Sequence, residues 1–376
     1  MSIITQRTPK NPFLLSGYHT PKYFCDRKEE LDWFNEQLLN ERNIVLHANR
    51  RIGKSVLIQH LFYHLESGKN TDSIYVDMLG TTNLQSANER IGKAIIDKYG
   101  NLKKGIKATL LNLVSALGAT FSLDPSSGIP QVTFSSNANH SFEQSLSVVG
   151  DFLKSQKKTI VICLDEFQEI CNYPEKEAEA LFRTWSQNYP MIRFIFSGSH
   201  QHLMQVMFTD KSRPFYRSAQ LKSLDVINET EYSKFIKRHF SQNKKNINHS
   251  IIDQILLWTK SQTYYVQMVC NKLYSYQNPD ENLLKDIFRE TIEQEISIFS
   301  TYQRLLTTFQ WKLLVAVAKK ENVKNPLSKE FINRFALGTP SSVSTALKKL
   351  VNTELIIQRN GYEVQDVLLM RWLQTL

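Results

Sequence analysis

The chain has 376 residues, with 46 Lys and Arg against 36 Asp and Glu for a net charge of +10. That length exceeds the roughly 250 residues at which single cores stop growing, so two or three domains are expected. No apolar run reaches the ~18 residues that span a bilayer, and the start MSIITQRTPKNPFLLSGYH lacks a signal peptide's apolar core and cleavage site, so a cytoplasmic protein without a membrane partner is expected.

Before residue 43, Asp26 is placed to cap a helix whose early acids Glu29 and Glu30 suit its N-terminal dipole, with Leu31 and Phe34 on an apolar side. Phe13 after Pro12, and Phe24 after Tyr23, could pack on a flat adenine ring or serve as hydrophobic staples. Ile44, Val45 and Leu46, followed by His47, read as a short buried strand, and Val56, Leu57, His60 and Leu61 then recur at helical spacing. The loop between them, Ala48-Asn49-Arg50-Arg51-Ile52-Gly53-Lys54-Ser55, matches the phosphate-binding pattern G-x-x-x-x-G-K-[ST] except at its first position. Gly53 permits a tight turn that converges N–H groups on an anion, Lys54 supplies a point charge for the β- and γ-phosphates, and Ser55 offers a hydroxyl to Mg²⁺. The helix that starts there adds its dipole, and Val56 completes the candidate cradle.

Residues 73 to 78 read as a second strand, 87 to 117 as one or two amphipathic helices, and 121 to 136 as a β-hairpin or extended loop. A helix from Ser141 to Phe152 leads to TIVICLDE (159 to 166), an apolar run ending in two acids, as in a strand buried on both faces with carboxylates at its tip. There Asp165 would hold Mg²⁺ through water and Glu166 would polarise an attacking water; the alternative is a core strand ending in a solvated acidic pair. A helix over 175 to 187 precedes the strand MIRFIF and the polar tip Ser197-Gly198-Ser199. Strands alternating with helices imply a parallel sheet, with ligands at the carboxyl ends of its strands.

Beyond Leu224 the strand pattern stops. Asn228 opens a helix carrying Tyr232, Phe235, Ile236 and Phe240, and helices over 251 to 258, 264 to 276 and 283 to 299 complete an all-α lid. From Leu305 onward, three helices precede the hairpin ELIIQR-NG-YEVQ, whose Asn360-Gly361 signals a type I′ turn. This is the pattern of a winged helix. Residues 300 to 376 carry eleven Lys and Arg against five Asp and Glu, and Lys348, Lys349, Arg359 and the hydroxyls of Ser341, Ser342, Ser344 and Thr345 are candidates to meet DNA. The four cysteines, Cys25, Cys163, Cys171 and Cys270, are scattered without C-x-x-C spacing, against a disulfide framework or a zinc site built on them.

In order, NPF…PKYFCDRKEEL, RRIGKS, VICLDEFQEI, FIFSGSHQHLM, RPFYRSA, TYYVQMVCNKLY and the terminal winged helix resemble the archaeal-type ATPases of the STAND branch of AAA+ proteins, over nearly the whole chain. The resemblance implies an α/β P-loop NTPase domain of the ASCE class (1 to 225), a helical lid (226 to 299) and a winged-helix domain (300 to 376), with ATP and Mg²⁺ as ligands. It makes Lys54 and Ser55 the Walker A contacts, Asp165 and Glu166 the Walker B pair, and Ser197 or Ser199 the sensor; Arg183, Arg213 and Arg217 become candidate arginine fingers. Two departures stand out: Ala48 in place of glycine, and Lys260-Ser261-Gln262-Thr263-Tyr264 where many relatives carry a Gly-x-Pro turn. The expected activity is slow ATP hydrolysis that switches the chain's hold on double-stranded DNA, on a second copy of itself or on a separate effector protein.

Overall fold

Five parallel strands form the central sheet: β1 (Ile44–His47), β2 (Thr71–Asp77), β5 (Thr159–Asp165), β6 (Ile192–Gly198) and β7 (Gln220–Ser223), in the order β2-β5-β6-β1-β7. Between β2 and β5 the chain makes a separate antiparallel hairpin of β3 (Ala119–Leu123) and β4 (Pro130–Phe134). The computed structural model describes residues 8–68, 70–100, 113, 119–123, 130–134 and 141–376; most of the helical pattern expected between 100 and 117 lies outside them. Alternation along the central strands sends Val45, Ile160, Ile162, Leu164, Phe194 and Phe196 into one core and Ile44, Leu46, Val161, Cys163 and Ile195 into another. Both faces of the sheet are therefore covered, which is why β5 and β6 read as continuous apolar runs.

The chain divides into two compact units, one of Met1–Lys10 and Ser16–Ile227 and the other of Asn11–Leu15 and Asn228–Leu376. In the first unit the helix after the N-terminal segment spans Lys28–Leu39, and its cap is Arg27 in the left-handed region (φ 68°), not Asp26. Strand β7 was not expected; its polar, half-exposed residues pair along β1 as an edge.

In the second unit Asn228 caps Glu229–Gln242 by accepting from the amides of Thr230 and Glu231. Helices His249–Thr259 and Thr263–Leu273 follow. The single helix expected over 283 to 299 is two, Glu281–Glu293 and Ile296–Leu305. The break changes the phase of the apolar stripe: Leu284, Ile287 and Thr291 are buried in the first piece, then Phe299 in the second, while Ile298 is exposed.

The winged helix comprises Thr308–Lys320, Lys329–Arg334 and Pro340–Asn352, then β8 (Ile356–Gln358) and β9 (Tyr362–Val364). Its hairpin differs from expectation. Gln358 pairs with Tyr362, so the loop has three residues, Arg359 to Gly361, and only Gly361 among them has a positive φ, at 135°. A type I′ turn needs both central residues at positive φ. A bridge from Val323 to Tyr362 and an unexpected last helix, Val367–Thr375, close the domain. The core joins Leu313, Val317, Leu347, Leu350 and Leu369 with Tyr265 of the helix Thr263–Leu273. Arg371 donates to the carbonyls of Trp258 and Leu257 at 3.0 and 3.1 Å and pairs with Glu321 at 2.7 Å, while Lys260, in the left-handed region, pairs with Glu363 at 3.3 Å. Among the described residues no helix is long and apolar enough to cross a membrane.

Candidate phosphate site at the strand ends

The carboxyl ends of β1, β5 and β6 bring one cluster together. Gly53, at φ 98°, caps the helix Lys54–Ser67, a backbone conformation that a side chain resists. The turn aims the first helical residue, Lys54, at β5: its Nζ lies 2.6 Å from Asp165 Oδ1 and 3.4 Å from Glu166 Oε1. Ser55 donates to Asp165 Oδ2 at 2.8 Å, and the Tyr75 hydroxyl on β2 donates to the same oxygen. The loop residues Lys54 and Ser55 and the strand-tip acids Asp165 and Glu166 thus meet although β6 runs between their strands.

Charge is buried here, and each ion is held by another. Burial pulls the Lys54 ammonium down, but Asp165 and Glu166 outweigh it and leave the group raised. Burial pushes the Asp165 carboxyl up, yet Lys54 and the Tyr75 hydroxyl bring it down to about 2. Glu166 is likewise opposed by burial and lowered by Lys54, Ser199 and Gln168, so both acids are ionised near neutral pH. Glu166 sits just past β5 at φ 53°, ψ 40°, a left-handed conformation that a non-glycine residue adopts at a cost and that clusters at functional sites.

The tip of β6 fixes that glutamate. Ser199 donates to Glu166 Oε2 from its hydroxyl at 2.6 Å and its amide at 3.2 Å, and Gln168 Nε2 donates to it at 2.7 Å. Of the two sensor candidates, Ser199 touches Glu166. Ser197 is fully buried and helps to hold the Asp165 carboxyl down. Gly198 between them is required, because a Cβ there would lie 2.5 Å from Gln168 Oε1 and from Met204 Cγ.

The rest of the loop explains the departure at its first position. Ala48 is fully buried with Leu46 and Ile52 in the core, has no positive φ, and donates its amide to the Gly198 carbonyl at 3.3 Å. It extends the sheet ladder and needs no glycine. Asn49 is buried, and its Nδ2 has no hydrogen-bond partner among the described residues, a donor suited to an anion. Arg50 and Arg51 are exposed and Val56 is half-buried. A buried amide donor with no partner among the described residues, a helix N-terminus and a buried lysine beside two carboxylates fit a nucleotide phosphate with Mg²⁺.

Other expected residues stand elsewhere. Phe13 is fully buried in the second unit, its ring 5.6 Å from that of Phe240 and 5.7 Å from that of Tyr274, so it is committed to a core rather than presented to a base. Phe24 stacks on His60 with centroids 3.8 Å apart. Arg183, half-buried, meets Gln187 one turn along its own helix when that amide presents its oxygen, at 2.8 Å. Arg213 pairs with Glu179, and Arg217 lies over the Tyr216 ring. Lys348, Lys349 and Arg359 are exposed on the third helix and the hairpin loop of the winged helix.

Sequence reading missed Arg27. It is 5 % exposed, pairs with Glu30 at 2.7 Å, and donates to the Asp225 carbonyl at 2.6 Å and the Ile52 carbonyl at 3.4 Å. One guanidinium therefore ties the phosphate loop to the chain end of the first unit. An arginine in an acidic helix start looks like a surface ion pair, so nothing short of the fold could reveal it.

Known proteins match this architecture. Among solved structures, the Walker-type ATPase of Pyrococcus abyssi superposes with a TM-score of 0.72 at 16% identity, over 96% of this chain and 99% of that one. The ORC2 protein of Aeropyrum pernix, solved in ADPNP-ADP complexes, gives 0.63 at 12% identity over 97% and 96%. The ORC1 protein of Aeropyrum pernix in complex with DNA gives 0.53 at 12% over 97% and 96%. No curated protein matches the chain. A winged-helix family model covers residues 297–375. The model of an ATPase domain found predominantly in Archaea covers residues 24–269, more than half of the chain, and the protein belongs to that family.

Proposed function

We propose that the protein is a Mg²⁺-dependent ATPase of the STAND type, a switch whose nucleotide state governs its hold on a macromolecular partner. The observation that carries this reading is the Lys54–Asp165–Ser55 constellation beside Glu166. Lys54 and the loop amides would hold the β- and γ-phosphates, and Ser55 and Asp165 would hold Mg²⁺. The metal, when bound, neutralises charge that develops on the transferring phosphoryl group. Glu166 is ionised and so able to accept a proton from water, as a general base must. Ser199 and Gln168 hold it, so it reaches water by giving up those bonds, which suits slow turnover.

The test is ATP hydrolysis by the full chain, with and without duplex DNA, beside Lys54→Ala. Turnover lost in the variant supports the reading; equal turnover in both proteins refutes it. A rise with DNA identifies the partner class, and indifference to DNA directs the search to protein. Exposed Lys348 and Lys349 on the third helix of the winged helix, together with a structural relative solved on DNA, favour duplex DNA as that partner.

A further inference from the structure

The outer face of the P-loop helix carries a second polar cluster that ATP chemistry does not use. His60 and His64 stand four residues apart on that helix, the spacing that puts two side chains one above the other. Their Nε2 atoms are 3.3 Å apart and their rings are perpendicular, at 88°. Two imidazole nitrogens bound to one tetrahedral Zn²⁺, each at ~2.0–2.1 Å, are separated by about 3.3 Å. The same two nitrogens are within hydrogen-bonding distance of each other, and a metal held between them would replace that contact.

The surroundings fix this pair from the other side. The Tyr18 hydroxyl lies 2.9 Å from His60 Nδ1. In the tautomer with the proton on Nδ1, that hydroxyl accepts it and the Nε2 lone pair faces His64, the outer-shell arrangement typical of metal-ligating histidines. Phe24, stacked on the His60 ring, blocks rotation. His60 is 5 % exposed and His64 is exposed, so one ligand is preorganised and the other leaves an entry path from solvent. Among the described residues no group of three or more His, Cys, Asp or Glu gathers around a metal position; the pair offers two ligands and leaves the remaining positions to water.

We propose that His60 and His64 form an open bis-imidazole site for a divalent transition-metal ion of the zinc, nickel or copper class. Imidazole favours these ions over Mg²⁺, which takes oxygen ligands, so the site is chemically separate from Ser55 and Asp165 on the same helix. A metal there would fasten the segment from Tyr18 to Phe24 onto the P-loop helix.

The test uses the tag-free full chain, stripped with chelator and held in excess Mg²⁺, titrated with ZnCl₂ against a chromophoric indicator, beside His64→Ala and Tyr18→Phe. The unmodified protein is expected to bind one Zn²⁺ that His64→Ala loses by at least tenfold in affinity, with Tyr18→Phe weaker by roughly tenfold. Because His64 is exposed, the metal-free unfolding midpoint of His64→Ala should match that of the parent, and only the parent's midpoint should rise with zinc. With CuCl₂, electron paramagnetic resonance should show splitting from two imidazole nitrogens in the parent and one in His64→Ala. Equal zinc affinity in parent and His64→Ala, an unchanged nitrogen pattern, or no binding into the millimolar range overturns the proposal.

Discussion

The strand ends of the first unit and the surface of the winged helix both display lysines, and they treat them in opposite ways. Lys54 is 6 % exposed, surrounded by carboxylates and fixed by the turn at Gly53. Lys348 and Lys349 are exposed, on a helix whose Val343, Leu347 and Leu350 hold it to an apolar core. A buried cation is tied to one geometry and thereby to one kind of ligand, whereas a surface cation adds long-range attraction that salt can screen. The first region therefore states its chemistry, and the second states only the sign of its partner.

The sharpest way to break that contrast is to remove the buried cation. Lys54→Ala should abolish measurable turnover and, by leaving Asp165 and Glu166 as neighbouring buried charges, cost about 3–5 kcal/mol of stability in urea unfolding. A stable variant would mean the cluster is more solvated than its burial implies. Glu166→Gln should lower turnover by roughly 10²–10⁴-fold while binding of a fluorescent ATP analogue persists; unchanged turnover would remove the glutamate from the chemistry.

Acid titration probes the same cluster. The folded carboxyl of Asp165 titrates at about 2, below the ~3.9 of an unfolded aspartate. Its stabilisation is therefore present above pH ~4 and disappears as pH falls toward 2, about 2 kcal/mol in all. Unfolding measured at a series of pH values should fall less steeply through that window for Asp165→Asn than for the parent. In the second unit, Gly361→Ala places a Cβ 2.0 Å from Asn322 Oδ1 at a φ of 135° and should cost about 1–3 kcal/mol, with ATP binding unchanged. The smallest effect is expected from Lys348→Ala combined with Lys349→Ala: weaker binding to duplex DNA at low salt, and a log–log salt dependence shallower by about 2. A slope identical to the parent's would take both lysines off the phosphate backbone.

The same contrast governs what could be read from residues alone. That Gly53-Lys54-Ser55 and Asp165-Glu166 come together was legible because each candidate role restricts residue type and places it next to a strand with a strong apolar signal. Strand β7 was not, since Gln220–Ser223 is short, polar and half-exposed and becomes a strand only by pairing with β1. Phe13 was open to two readings because an aromatic near a nucleotide motif looks the same whether it faces a base or a core; tertiary packing against Phe240 and Tyr274 decided it. The hairpin was found but its loop was not, because Asn360-Gly361 suggests a two-residue turn while the register from Gln358 to Tyr362 takes in Arg359 as well. Arg27 was invisible for a related reason: beyond its neighbour Glu30, its distant partners at Ile52 and Asp225 are backbone carbonyls, which carry no residue signature.

The carbonyl contacts of Arg371, the Lys260–Glu363 pair and the shared core at Tyr265 have a mechanical consequence. They tie the winged helix to the helices His249–Thr259 and Thr263–Leu273 as one body. The chain crosses between the two units after residues 10, 15 and 227, so a force passed along the chain after residue 227 enters the helices of the second unit and its winged helix together. A disulfide or proline that stiffens residues 225 to 228 would act on the whole second unit at once, whereas the same change after residue 300 would disturb a joint that is already locked.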